Sequence, residues 1–529
     1  MTTPRDSGEG FDAGAEEGPD AGGIPETDAG SVPVDAGSDA PRDAGTSDAG
    51  GPVTFDAGRP FESVPVTVQP ADPAARRTVA QVLSWLKSLE RRPYRRLILG
   101  QFGWPTGSGR SGNWDDIFTV TGEYPGFIET NFYGWSDDEN GVVARRNVLR
   151  DAFNAGSLVG LHLPWPPNPW TQGRNTDVTL PAGRRFSECF TPGTSANERL
   201  KASLDAVAKH LAILDSEGVV VFFRPYHENN GNWFWWSARN ATVAEYQQLY
   251  RWTFQYLTSE KKLHNLIWVY SPSTAEPTLP ANSAVERYPG DAYVDVVATS
   301  IYAYPVVPTR VELINETAVR NYGALRAAST KLMAIGETGW SNQVETEPPV
   351  RSRDARTQLF EPVLTKMPQV TYVVTWDHRA SLSQQNSAAS VYHDLAHLTR
   401  RHVGRTDLFV EFENRLAKDK LFLTAPNAVA KVSPNARRWS VEAGTDGSVA
   451  IRDEETRLYL SSGTGAQAAS VIATTSKSDA SWWTIRDAGD GYFFLVNRAS
   501  GRGLKLSPNS NEVFASTFIG LSDMMWRLR

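Results

Sequence analysis

Between about residue 74 and residue 400 the chain alternates amphipathic stretches with short apolar runs, and this alternation restricts its possible folds more than any other feature. Eight runs can be read: LILGQ (97–101), PGFIE (125–129), SLVGLH (157–162), VVVFFRP (219–225), NLIWVYS (265–271), VDVVATS (294–300), KLMAIGE (331–337) and TYVVTW (371–376). Between them lie segments such as RRTVAQVLSWLKSLERR, ERLKASLDAVAKHLAILDSEG and VAEYQQLYRWTFQYLTS, whose apolar residues recur at three and four, the spacing of a helix with one buried face. Eight strands, each followed by a helix, predict an α/β fold: a (β/α)8 TIM barrel. In that architecture the chemistry sits where strands end. The residues at those ends are Gln101, Glu129, His162, Glu228 just past the fourth run, Tyr302 after the sixth, Glu337 and Trp376.

The flanks of this region differ from it. A chain of 529 residues is too long for one ordinary domain. Residues 1–60 repeat Asp-Ala-Gly at Asp12, Asp20, Asp28, Asp35, Asp43, Asp48 and Asp56, among Gly, Pro, Ser and Thr, with only Arg5, Arg42 and Arg59 as cations. With almost nothing apolar to bury, the segment is expected to be disordered, a self-repelling acidic linker. Its spacing matches neither an EF-hand loop nor the glycine-rich nonapeptide repeats that bind calcium. The net charge of −7 gives no support to nucleic-acid binding. No apolar run reaches the eighteen or so residues that a membrane span needs, so no transmembrane segment is expected. The single cysteine, Cys189, excludes an internal disulfide framework. No signal peptide is legible, and a tether of this kind suggests a protein secreted or held at a cell surface, its export signal absent from this sequence.

Two carboxyl groups stand out inside the barrel. Glu228 and Glu337 follow the fourth and seventh strands, across one barrel mouth from each other, where a pair can act on one bond. Retaining glycoside hydrolysis needs two carboxyls about 5–5.5 Å apart, one to protonate the leaving oxygen and one to attack the anomeric carbon. Glu228 belongs to RPYHENNGNWFWW (224–236), which places four aromatic side chains in a row from the fifth residue after a carboxyl group. Either they are plain core, or they form an apolar wall and a sugar platform beside an acid. His393 and His397 offer a helical i, i+4 pair, but no neighbouring Glu completes a hydrolytic zinc motif.

The string RPYHENNGNWFWW resembles the fourth-strand motif of glycoside hydrolase family 26, and LVGLHLPWPPNPW, NLIWVYSPS and AIGETGW are similar to its third-, fifth- and seventh-strand motifs. The likeness covers roughly residues 75–400. It implies a retaining endo-β-1,4-mannanase needing no cofactor, with Glu228 as acid/base and Glu337 as nucleophile, acting on mannan-type polysaccharide or oligosaccharide. Related members cleave β-1,3-xylan or mixed-linkage β-glucan, and a catalytically dead sugar-binding protein is the alternative of another class. The resemblance also places His162, His227, Trp233, Tyr302 and Trp376 around the sugar at the cleaved bond. A catalytic acid must keep its proton, so Glu228 is expected against apolar walls and Glu337 among hydrogen-bond donors, Tyr302 among them. His227 orients the nucleophile, binds a sugar hydroxyl, or is satisfied by barrel backbone. Trp165 and Trp170 either stack on neighbouring sugars or pack beneath their proline-rich loop. Ser300 stands where members of the family often have Asp, which removes a charge from the cleft.

After residue 405 the texture changes to short strands without helices. Three segments superpose, with Arg415, Arg452 and Arg498 aligned, Leu423, Leu460 and Leu506 aligned, and Trp439, Trp483 and Trp526 closing the copies. The arrangement resembles a ricin-B-like β-trefoil, although RRW, SWW and MMW replace the usual Gln-x-Trp. The expected organisation is therefore a linker at 1–60, a barrel at 61–404 and a trefoil at 405–529. The trefoil either binds carbohydrate or serves as a structural lobe.

Overall fold

The computed structural model describes residues 61–528, except 91–95, 105–113, 133–138, 164–165, 275–278, 281, 304–312, 341–353, 378–379, 386, 395, 405–408, 411, 415–421, 425–430, 434–438, 444–447, 464–467, 490–491, 508–512 and 521–523. The acidic repeat of residues 1–60, Trp165 and Arg415 thus lie outside the described residues. Eight parallel strands close on themselves: β1 (Leu97–Phe102), β2 (Phe127–Thr130), β3 (Leu158–Leu163), β4 (Val221–Pro225), β5 (Leu266–Tyr270), β6 (Val296–Ala303), β7 (Leu332–Trp340) and β8 (Val370–Thr375). They pair in chain order, and β1 pairs with both β2 and β8, which completes the barrel. A two-residue strand, β9 (His397–Leu398), adds in parallel to the outside of β1.

The helices cover the barrel through the stripe their spacing predicts. In the helix Ser195–Ser216 the residues Ala196, Leu200, Leu204, Val207, Ala208, Leu211 and Leu214 are all buried, each leucine contributing roughly 1.5–3 kcal/mol by leaving water. Thr194 starts this helix by accepting from the Asn197 N–H, and Thr242 starts Val243–Gln255 through a reciprocal pair with Glu245. Among the described residues no helix is long and apolar enough to cross a membrane.

Two details differ from the sequence expectation and bear on function. First, β6 and β7 run three residues past their predicted ends, so Glu337 lies inside a strand rather than at its tip. Second, β7 carries an extra residue. Thr299 pairs with Ile335 but the next residue, Ser300, pairs with Glu337, and the register against β8 slips over the same stretch. Gly336 is the extra residue, and a bulge of this kind re-aims the side chain that follows it. Glycine suits the position, because a Cβ would stand 3.1 Å from the Ala298 Cβ and 3.3 Å from the Arg224 Cδ, tight enough that these neighbours would have to give way.

The two histidines read as one helical face do not share one. His393 follows the short helix Ala388–Tyr392 and its Nε2 meets the Thr121 carbonyl at 3.0 Å; His397 is buried in β9 with its Nδ1 2.7 Å from the Val391 carbonyl. Both are bound to backbone.

From Phe409 onward the strands are short and antiparallel, as a β-trefoil requires. Trp439, Trp483 and Trp526 are fully buried in one apolar cluster, and their indole N–H groups donate to the carbonyls of Leu423, Leu460 and Leu504 at 2.9–3.1 Å. The third copy thus uses Leu504 where the sequence alignment put Leu506. The three tryptophans unite a core otherwise built from two- to eight-residue strands.

Candidate active site

The mouth of the barrel is assembled by what happens after β4. Pro225 ends the strand, and the chain turns through two left-handed non-glycine residues, Tyr226 and Glu228, each at φ 51°. That conformation costs roughly 1–2 kcal/mol per residue. Hydrogen bonds offset it: Tyr226 OH meets Thr253 Oγ1 at 2.9 Å, Tyr246 OH donates to the Tyr226 carbonyl at 3.1 Å, and the Glu228 N–H donates to the Ser271 carbonyl at 2.7 Å. Strain held by so many partners marks a position whose side chain has to be placed.

Glu228 is buried, and its Oε2 accepts from Trp233 Nε1 at 2.8 Å. The indole can fold back this far only because Gly231 lacks a side chain; a Cβ there would lie 2.4 Å from the ring. Burial, and after it the charge of Glu337, push the Glu228 carboxyl up to about 8, while Trp233, Arg224 and Ser300 pull it down. At neutral pH Glu228 holds a proton.

Glu337 is buried in a different company. Tyr302 OH donates to its Oε1 at 2.6 Å and Arg224 Nη2 donates to its Oε2 at 3.0 Å. The same guanidinium grips Glu129, at the end of β2, through Nε at 3.1 Å and Nη2 at 3.2 Å. Burial draws the Arg224 pKa down, but the charges of Glu129 and Glu337 outweigh it, so the arginine stays firmly cationic. For Glu129 burial wins over Arg224 and raises the carboxyl to about 7. Burial and the Glu337 charge likewise raise the Tyr302 phenol well above its ordinary value, which keeps it a donor.

His162 on β3 and His227 face each other with ring centres 5.0 Å apart. Burial, with the nearby Arg224 charge, holds both well below the usual histidine range, so both are neutral imidazoles. Their Nδ1 atoms are buried and have no hydrogen-bond partner among the described residues, so the backbone does not satisfy His227 through that atom. Trp376 lies half-buried, stacked on Phe102 at 4.0 Å and 5.5 Å from His162. Gln101 fixes its backbone, donating to the Trp376 carbonyl at 2.8 Å.

Glu228, Glu337, His162, His227, Trp233, Tyr302 and Trp376 are thereby brought together. Trp170 is not: only 9% exposed, it packs against Phe186 and Trp235 with ring centres 5.8 and 5.9 Å away, the packing alternative for this loop. The aromatic run also divides. Trp235 and Trp236 are 0% exposed and anchor the loop by donating to the Pro166 and His227 carbonyls, and Phe234 is buried too, so Trp233 alone of the four is partly open. Sequence reasoning passed over Arg224 and the Glu129–Arg224 pairing. The signal was there: an arginine and a glutamate each close an otherwise apolar run, VVVFFRP and PGFIE, and a charge in a buried strand needs a partner.

His162, His227 and Glu337 also form a cluster whose ligating atoms lie within 4.8 Å of one another. The donor set does not suit a resident cation. Both Glu337 oxygens are already engaged, and Arg224 places a positive charge where a metal would bind.

Comparison with known proteins agrees with this arrangement. The family model described as glycosyl hydrolase family 26 matches residues 71–339, and one described as ricin-type β-trefoil lectin domain-like matches residues 435–516. A mannan endo-1,4-β-mannosidase of Bacillus subtilis is 29% identical over 340 residues, 62% of this chain and 87% of that protein. Mannan endo-1,4-β-mannosidase A and B of Caldalkalibacillus mannanilyticus is 28% identical over 341 residues, 61% of each chain. The solved structure of a Bacillus subtilis mannanase superposes with a TM-score of 0.54 at 26% identity, covering 64% of this chain and 98% of that one. With a closed eight-stranded barrel, two buried glutamates at its mouth and a family model spanning more than half its length, the chain belongs to glycosyl hydrolase family 26.

Proposed function

We propose that the protein is a retaining endo-β-1,4-mannanase in which Glu337 is the nucleophile and Glu228 the general acid and base. The observation that carries the reading is the contrast between two buried carboxyls in one mouth: Glu228 is pushed up to about 8, whereas Glu337 is held by a guanidinium and a phenol. One keeps a proton to give; the other keeps a lone pair to use. In the first step a Glu337 oxygen forms a bond to the anomeric carbon as the glycosidic C–O bond breaks, and the Glu228 proton passes to the leaving oxygen. In the second, Glu228, now ionised, takes a proton from water, whose oxygen displaces Glu337. Neutral His162 and His227, with Trp233 and Trp376, supply hydrogen-bonding groups and apolar faces for the sugar. The names of the relatives support mannan as the polymer, and a polysaccharide too large to enter a cell supports action outside it. The linker, barrel and trefoil divisions at residues 60 and 404 belong to the same proposal.

The test is threefold. Glu337→Gln should abolish turnover and leave substrate binding intact, since the amide keeps the shape but cannot attack. Glu228→Ala should spare substrates with activated leaving groups and lose most activity on polysaccharide. Proton NMR of the earliest products should show the β anomer; an α anomer formed first rules the scheme out. Side-by-side digestion of mannan, β-1,3-xylan and mixed-linkage glucan identifies the backbone, and better cleavage of either alternative would replace mannan in this reading.

A further inference from the structure

Glu129 makes and breaks no bond in the proposed double displacement. It sits at the end of β2, two strands away from Arg224 and buried to 3%, and both its oxygens accept from that one guanidinium. Nη2 of Arg224 is shared: it donates at 3.2 Å to Glu129 and at 3.0 Å to Glu337. Nη1 is buried with no partner among the described residues. Glu129 and Glu337 therefore compete for the same buried cation.

We propose that Glu129 is a positioning residue for the nucleophile: it takes up the charge of Arg224, so that Glu337 is oriented by one shared N–H without being immobilised as a full ion pair. The inference rests on Glu337 being the nucleophile. Forming the glycosyl-enzyme bond consumes the charge on Glu337, as its lone pair becomes the new C–O bond. Arg224 would then be a buried cation facing a neutral ester, an arrangement that is strongly unfavourable without a second anion. Glu129, once ionised above its raised pKa of about 7, is that anion. It holds the guanidinium while Glu337 is esterified and returns half of the cation when water regenerates the carboxylate. Without it, Arg224 would stabilise ionised Glu337 more than the transition state that discharges it, and only differential stabilisation speeds a step.

The titratable and charged groups around this pair are Arg224, His227 and Glu228 from β4 and the turn after it, His162 from β3, Tyr302 from β6 and Tyr372 from β8. The histidines are neutral, the phenols keep their protons, and Glu228 is protonated at neutral pH. Glu129 and Glu337 are therefore the two carboxyls whose charges Arg224 balances.

The experiment compares wild type with Glu129→Gln and Glu129→Asp. Formation and breakdown of the glycosyl-enzyme are followed by intact-mass spectrometry with an activated 2-deoxy-2-fluoro-β-mannoside, and the acid limb of kcat/KM is measured with an aryl β-mannobioside. Glu129→Gln should slow formation about tenfold, leave breakdown equal or faster, and move the acid limb down, because the limb set by Glu129 ionising near 7 is lost. Glu129→Asp, which keeps the charge, should leave the limb where it is in wild type. An unmoved limb in Glu129→Gln, or formation and breakdown slowed alike, overturns the proposal. If Glu129→Gln does not fold, Glu129→Asp decides: a limb at the wild-type position supports the proposal, and a lowered one overturns it. Peptide mapping of the wild-type adduct separates this idea from its foundation. A label on Glu337 keeps the nucleophile assignment whatever Glu129 does, and a label elsewhere overturns that assignment and this proposal with it.

Discussion

Trp233→Phe removes one hydrogen bond from the site and leaves an aromatic ring in its place. The bond runs from indole Nε1 to Glu228 Oε2 at 2.8 Å and favours the ionised acid. Hydrogen bonds to a charged group contribute about 1.5–3 kcal/mol, and 1.36 kcal/mol corresponds to one pKa unit, so the full loss is worth about 1–2 units. Trp233 is only partly buried, and water can replace some of what is lost, which places the expected change near the lower end. The sign follows from the role. A general acid works while protonated, so activity falls as pH rises through its pKa, and raising that pKa from about 8 carries the alkaline limb upward by about one unit. The assay is the pH profile of kcat/KM on a mannan oligosaccharide, which reports the free enzyme and is insensitive to weaker sugar stacking beyond a uniform loss. A limb that stays in place, or moves down, would refute both the assignment of Glu228 as the acid and the account of what tunes it.

Gly231→Ala should shift the alkaline limb in the same direction without touching either partner, because its Cβ would displace the Trp233 ring; an unchanged limb with normal stability would show that the indole tolerates the methyl group. Tyr302→Phe should lower kcat/KM about ten- to a hundredfold, the worth of a hydrogen bond to a carboxylate, with little change in melting temperature since the residue lies at the mouth. Trapping the nucleophile as its fluorosugar ester removes the Glu337 charge that raises Glu228, so a carbon-13 NMR titration of Glu228 should find its pKa lowered in the trapped enzyme. Ending the chain at residue 404 should reduce hydrolysis of insoluble mannan several-fold while leaving mannopentaose kinetics intact, if the trefoil concentrates the barrel at a polymer surface; equal losses on both, with a lowered melting temperature, favour the structural role.

The eight strand runs could be read from sequence to within a few residues because burial on both faces leaves an unbroken apolar signature. Glu228, Glu337 and Tyr302 could be placed near the mouth because polar residues where an apolar run stops mark that end of the barrel, although Glu337 and Tyr302 lie within strands that run on past those stops. What periodicity cannot encode is contact between distant residues. Arg224 and Glu129 are 95 positions apart; each run shows that its charge needs a partner, but nothing local says that the partner is the other or that Glu337 shares the guanidinium. The bulge at Gly336 was hidden too: AIGETGW reads equally well as a strand end or a turn, and only the slipped pairing against β6 and β8 reveals an extra residue. The aromatic run stayed open between two readings for another reason. Its composition suited a sugar platform, but strain at Tyr226 and Glu228 has to be held from behind, and Trp235 and Trp236 are spent on that task.

Under the proposed assignment, two glutamates with the same intrinsic acidity acquire opposite duties from the supply of donors around them. Glu337 meets a guanidinium and a phenol, while Glu228 meets a neutral indole and the repulsion of Glu337 itself. That repulsion is the part of the environment that changes during turnover. While Glu337 is ionised it raises Glu228 and keeps the acid charged with its proton. In the proposed glycosyl-enzyme, with Glu337 esterified, the repulsion ends, the Glu228 pKa falls, and the same group is ready to accept a proton from water. In the proposed double displacement, one electrostatic coupling between neighbouring carboxyls therefore serves both halves. It demands only that the two groups stay close, which is the task of the bulge at Gly336 on one side and the strained turn at Tyr226–Glu228 on the other.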